Sequence, residues 1–203
     1  MMQQQNALTD NPVGIVLAST SPFRKELLQR LGLSFATDSP EIDESSQPGE
    51  TPDILVSRLS LEKAQAVATR HPNCLVIGSD QVACNEGRIL GKPGSRENAI
   101  TQLTEAAGKK ITFFTGLTLL DTRDGSHQTL CEPFHVHFRA LNREQIERYV
   151  DAETPFNCAG SFKSEGLGIS LFNRLEGDDP NALIGLPLIR LIALLEKHGV
   201  MVP

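Results

Sequence analysis

The sequence predicts an α/β fold with a mixed central sheet flanked by helices. Three observations carry this. Apolar runs such as Ile15, Val16 and Leu17, or 75–82, are short and bounded like strands, while other segments repeat apolar residues at helical spacing. The two kinds mix without strict alternation, which argues for a mixed sheet over an all-parallel one. Hydrophobic residues make up 39% of 203 positions, enough for one domain with a real core. We expect a single domain over 14–203, preceded by a polar, flexible tail over 1–13.

The elements follow in order. A strand is expected near 14–19 and a helix near 22–31. Ser21 is typed as its N-cap, and Pro22 suits the first helical position because its missing N–H is not needed there. A short strand near 34–37 leads to the acidic loop 40–44. Thr51 and Pro52 open a second helix that runs to about Arg70. Residues 75–82 read as a buried strand and 85–88 as a hairpin turn. Gly91, Lys92, Pro93 and Gly94 form a loop before a third helix over about 96–107. Two long strands, 110–121 and 128–139, flank a turn at 123–125. Asn142 caps a helix to about Asp151. The stretch 155–180 reads as irregular. A C-terminal helix fills about 181–197, its start disturbed by Gly185 and Pro187.

Composition narrows the function. A net charge of −6, from 19 basic and 25 acidic residues, argues against broad nucleic-acid or membrane-surface binding. No run of eighteen apolar residues is present, so no membrane span is expected. The four cysteines, Cys74, Cys84, Cys131 and Cys158, are scattered and read as reduced cytosolic thiols.

Chemistry concentrates in a few places. Ser19, Thr20 and Ser21 stand between a strand and a capped helix, with Arg24 one turn in. Hydroxyls, free N–H groups and a guanidinium so placed make a phosphate site without the glycines of a Walker loop. Asp80 interrupts an apolar strand, and a buried carboxylate costs several kcal/mol unless paired. It reads as a general base or metal ligand, or else as a strand-end aspartate satisfied by nearby N–H groups. Lys63 falls on the apolar stripe of its helix, where it either snorkels or points a cation into a cleft. Lys92 sits on a stiff Gly-Lys-Pro support, although an isolated loop lysine is usually solvated. The loop 41–44, with Glu44, could supply oxygens to a hard cation or form a solvated acidic turn. Phe23 repeats with Leu27 and Leu31 as a core residue would, yet lies beside the phosphate site, where it could stack on a base. The glycine-spotted segment 159–168 carries Lys163 and Glu165, a carboxylate suited to a ligand edge. His135 and His137 share a strand face without a third ligand and read as sheet residues.

The ordered set of segments 17–24, 62–64, 78–82, 91–93, 160–168 and 184–187 resembles the Maf family of nucleoside triphosphate pyrophosphatases over nearly the whole chain. The resemblance implies a two-lobed fold like that of inosine-triphosphate pyrophosphatases, with a cleft. It implies cleavage between the α and β phosphates, a divalent metal such as Mg²⁺ or Mn²⁺, and a cytoplasmic location. By motif match Asp80 takes the general-base position. Ser21, Arg24, Lys63 and Lys92 take triphosphate-facing positions, Lys63 and Lys92 as catalytic residues beside Asp80; Ser19 joins the substrate-binding set, and Glu44 joins Asp80 as an acidic, metal-side position. Phe23, Gln81 and Glu165 stand where pyrimidine-cleaving members carry Arg, Thr and Gln. That pattern is similar to the 7-methyl-GTP pyrophosphatase group, in which tryptophan is expected at position 23. A carboxylate can accept both guanine N1 and N2 donors, and an aromatic face attracts the cationic methylated ring. The expected partner is a small-molecule nucleoside triphosphate, with no nucleic acid and no membrane, and a homodimer is left open. The alternatives are a nucleotide-binding regulator of cell division without turnover, or a pyrophosphatase for another triphosphate.

Overall fold

The computed structural model describes residues 13–202, so the tail expected at the N-terminus lies, apart from Val13, outside the described residues. The chain runs β1 (Gly14–Ala18), α1 (Pro22–Gln29), β2 (Ala36–Asp38), α2 (Pro52–Ala68), β3 (Cys74–Asn85) and β4 (Arg88–Leu90). It continues through α3 (Arg96–Ala106), β5 (Lys110–Asp121), β6 (His127–Phe138), α4 (Arg143–Glu153), β7 (Phe172–Glu176), α5 (Pro180–Ile184) and α6 (Leu188–Lys197). The seven strands form one mixed sheet in the order β2-β1-β3-β5-β6-β7, with β4 also on β3. Pairs β1–β2 and β1–β3 are parallel, and the rest are antiparallel.

Two segments differ from the sequence reading. The irregular stretch 155–180 contains β7, which pairs with β6, and two short 3₁₀ turns. The C-terminal helix is two helices, because Gly185 takes φ +123° and Pro187 removes a donor, so the chain turns between α5 and α6. β3 also extends past position 82, since Ala83, Cys84 and Asn85 pair with β4.

The core has two main parts. One gathers Phe113, Phe134, Phe138 and Phe162 with residues of α3 and α4. The other gathers Leu17, Leu27, Leu75, Leu119 and Leu191 between the sheet, α1 and α6. β3 contributes Leu75 and Ile77 to the second and Ala83 to the first. Between them lies a break in the sheet. β1 pairs with β3 only as far as Gly78, and β4 joins the strand only from Ala83. Residues 79–82 therefore lack a strand neighbour on that edge, and the loops after β1 and after β4 both leave the sheet at this gap. Among the described residues no helix is long and apolar enough to cross a membrane.

Candidate active site

A cavity of about 600 Å³ opens over the gap. All ten residues singled out from the sequence line it. Ser19, Ser21, Phe23 and Arg24 come from the turn into α1, Glu44 from the acidic loop and Lys63 from α2. Asp80 and Gln81 come from β3, Lys92 from the loop after β4 and Glu165 from the segment after α4.

The turn into α1 forms as its sequence dictates. The Ser19 hydroxyl accepts the Ser21 N–H at 3.1 Å, and the Ser21 hydroxyl caps α1 by accepting the Arg24 N–H at 3.4 Å. Both hydroxyl protons stay available to an anion. Arg24 donates its Nε to the Gly185 carbonyl at 2.8 Å, which aims the rest of its guanidinium at the cleft. Burial lowers the Arg24 pKa below its ordinary value, and the charges of Asp80 and Glu44 push it back up.

Lys63 resolves the ambiguity of its helical stripe. It is 4% exposed, and its ammonium contacts Asp80 Oδ1 at 2.6 Å and Glu44 Oε1 at 2.7 Å. Asp80 is 7% exposed, so its charge is matched within the protein and not by water. Of the acidic loop, Glu44 turns inward, while Asp43 accepts the Ser45 N–H. Burial would raise the Glu44 pKa, but the hydrogen bond from Lys63 and the charges of Lys63, Lys92 and Arg24 outweigh it and hold it below its usual value.

Asp80 and Glu44 thus converge on the Lys63 ammonium. Among the described residues no group of three or more His, Cys, Asp or Glu side chains could hold a metal unaided. Two carboxylates on one cavity are a donor set of the kind a hard divalent ion takes, and they would fill only part of its shell.

Lys92 is exposed on a braced loop. Asn98 donates to the Pro93 carbonyl at 2.9 Å, Gln102 to the Gly91 carbonyl at 3.1 Å, and the Gly94 N–H to the Phe156 carbonyl at 3.0 Å. Phe23 is half-buried, belongs to neither large apolar cluster and faces the cavity, so its four-residue repeat with Leu27 is not a core assignment. Gln81 is less free than expected, because its amide nitrogen is already committed to protein carbonyls. His135 and His137 lie outside the cavity, bonded to Thr112 and Glu176.

One residue escaped the sequence reading. Glu153, at the end of α4, accepts the Leu167 N–H at 2.8 Å and pairs with Lys163 at 3.3 Å. Gly166 lies so close that a Cβ there would meet Glu153 Oε2 at 2.8 Å. The loop bearing Glu165 is fastened by this carboxylate. In the sequence Glu153 looks like any solvated helix acid, and no local signal marks it.

An α/β sheet broken over a pocket of hydroxyls, a helix N-terminus, four cations and three carboxylates suits a protein that handles phosphate groups. The chain belongs to the Maf family: the model of that family, described as Maf-like protein, matches residues 14–198. A protein named 7-methyl-GTP pyrophosphatase in Alcanivorax borkumensis is 58% identical over 97% of this chain and 100% of its own length. Proteins of the same name in Colwellia psychrerythraea and Pseudomonas aeruginosa are each 56% identical, over 92% and 93% of this chain and 93% and 98% of theirs. Among solved structures, the Staphylococcus aureus Ham1 protein superposes with a TM-score of 0.51 at 17% identity, over 91% of this chain and 99% of that one. That likeness is one of fold.

Proposed function

We propose that this chain hydrolyses 7-methyl-GTP to 7-methyl-GMP and pyrophosphate in the cytoplasm. The observation that carries the reading is the sharing of one cavity by two chemistries. Asp80, Lys63, Lys92 and Arg24 suit a triphosphate, while Phe23 and Glu165 suit a cationic guanine. The names of relatives at 56–58% identity support the same substrate.

In this reading Arg24, Lys92 and the N–H groups of α1 bind the phosphate chain and stabilise charge that builds on it. Asp80 accepts a proton from the water that attacks the α-phosphorus. A bond from water oxygen to phosphorus forms, the bridging bond breaks, and pyrophosphate leaves with the electron pair. Lys63 orients Asp80 through the 2.6 Å contact. A divalent ion held by Glu44 and Asp80 would supply charge neutralisation on the phosphate oxygens. Glu165 accepts from guanine N1 and N2, and Phe23 stacks on the methylated ring, an attraction of about 0.5–2 kcal/mol.

The test is pyrophosphate release with Mg²⁺ from 7-methyl-GTP, GTP, UTP and dTTP. We expect 7-methyl-GTP to be cleaved preferentially and Glu165→Gln to narrow that preference. Faster cleavage of UTP or dTTP would overturn the substrate, and no release from any of them would overturn the activity.

A further inference from the structure

Glu165 is exposed, and among the described residues its one side-chain hydrogen-bond partner is its neighbour Ser164, at 3.3 Å. Its place on the cavity is therefore set by the backbone of residues 163–168. That backbone closes on itself. The Gly166 and Gly168 N–H groups both donate to the Lys163 carbonyl, at 3.3 and 3.1 Å. A Cβ at position 168 would collide with that same carbonyl oxygen, so the turn needs glycine there.

The turn is fastened to the last turns of α4 at both ends. The buried Tyr149 hydroxyl accepts the Lys163 N–H at 3.1 Å. Lys163 Nζ donates to the Glu153 carbonyl at 2.9 Å and lies 3.3 Å from Glu153 Oε1. An ammonium at this end of α4 also meets the negative pole of the helix. Glu153 Oε2 accepts the Leu167 N–H at 2.8 Å. Residues 163 and 167 are thus gripped on either side of Glu165. The grip is firm at its base, since Tyr149 and Val150 belong to the apolar core that also holds Phe162. Ser164 and Glu165 line the cavity, whereas Glu153 and Tyr149 do not.

We propose that Glu153 is a positioning residue for base selectivity. With Tyr149 it holds the turn 163–168 on α4, so that the Glu165 carboxylate stands ready for the guanine N1 and N2 donors. Ordering the turn before the nucleotide arrives spares that cost at binding. The inference rests on the pyrophosphatase reading above, and the outcomes of its test separate the two.

Two measurements test it. The first is hydrogen exchange over 163–168 without nucleotide. Glu153→Ala should speed exchange there by about tenfold and leave α3 and β5 unchanged. The second is the ratio of kcat/KM for 7-methyl-GTP to that for UTP, in which effects on the common triphosphate cancel. Glu153→Ala should lower this ratio by about tenfold or more, with UTP cleavage within about threefold of the unaltered protein. Glu153→Gln keeps an acceptor for the Leu167 N–H and should hold the ratio within about threefold. Tyr149→Phe removes only the acceptor of the Lys163 N–H and should lower the ratio in the same direction. Its Lys163 stays paired with Glu153, so a freed ammonium entering the cavity cannot be the cause. If the protein binds without cleaving, the ratio of dissociation constants takes the place of kcat/KM. An unchanged ratio in Glu153→Ala or Tyr149→Phe, an equal loss on both nucleotides, or unchanged exchange over 163–168 would overturn the inference and leave the activity standing. Selective binding without turnover, abolished by Glu153→Ala, would overturn the activity and leave the inference standing. An unaltered protein that does not favour 7-methyl-GTP over UTP would overturn the substrate and the inference together.

Discussion

Asp80 shows what one residue can disclose and what it cannot. A carboxylate inside an apolar run marks itself, because an unpaired buried charge is too costly to persist. Its partner was harder to read. The helical wheel put Lys63 on the apolar stripe, and only the fold shows that the ammonium reaches both Asp80 and Glu44. Gln81 was legible as a position but not in what holds it, since its acceptors are 101 and 102 residues further along the chain. Glu153 was not legible, because the amide it holds comes from a loop 14 residues away. At this scale the sharpest expectation concerns Asp80→Asn. It keeps the shape and removes the base, so kcat should fall by about 10²–10⁴-fold. Lys63 retains Glu44, so the variant should still melt cooperatively. Steady-state kinetics beside a melting curve check both, and turnover within a few-fold of the unaltered protein would remove Asp80 from the chemistry.

Among the elements, α2 carries Lys63 to Asp80 and must lie close to the sheet. It does so over two glycines. A Cβ at Gly78 would collide with the Ser60 carbonyl oxygen, and one at Gly116 with that of Val56. Gly116 is the residue paired with Asp80 in the β3–β5 register, so one of these two close approaches of helix and sheet falls beside the site. Gly78→Ala should therefore lift α2, destabilise the protein by about 1–3 kcal/mol and lengthen the Lys63–Asp80 contact. Denaturant unfolding and kcat should both report it, and an unaffected kcat would mean that the helix need not approach so closely. Most elements could be read from caps and periodicity, including Ser21 before α1 and the capping box of Asn142 and Gln145. β7 could not, because a five-residue strand after glycine-rich turns carries little pattern of its own. The division of the last helix was signalled by Gly185 and Pro187, but its purpose emerges only from what Gly185 holds.

In the molecule as a whole, a strand shared by two apolar cores leaves a cleft at the place where neither neighbour covers it. The ends of the chain's elements are tied elsewhere. Asp121 closes β5, is 3% exposed, and binds Arg123 by hydrogen bonds and His198, beyond α6, at 3.3 Å. The hydrogen bond from Arg123 lowers its pKa from 3.8 to about 2. A carboxyl depressed on folding adds stability above its unfolded pKa and loses it as pH falls through the folded one. Asp121→Asn should therefore be less stable than the unaltered protein at neutral pH, and the gap should close between pH 3.8 and about 2. Unfolding free energies of the two proteins across that range decide it, and a constant gap would count against the assignment.

The bond between Arg24 and the Gly185 carbonyl joins residues 161 positions apart. During synthesis, then, Arg24 emerges early and waits for its seat until the segment around α5 has been made. A nascent chain stopped short of Gly185 lacks the carbonyl that seats Arg24.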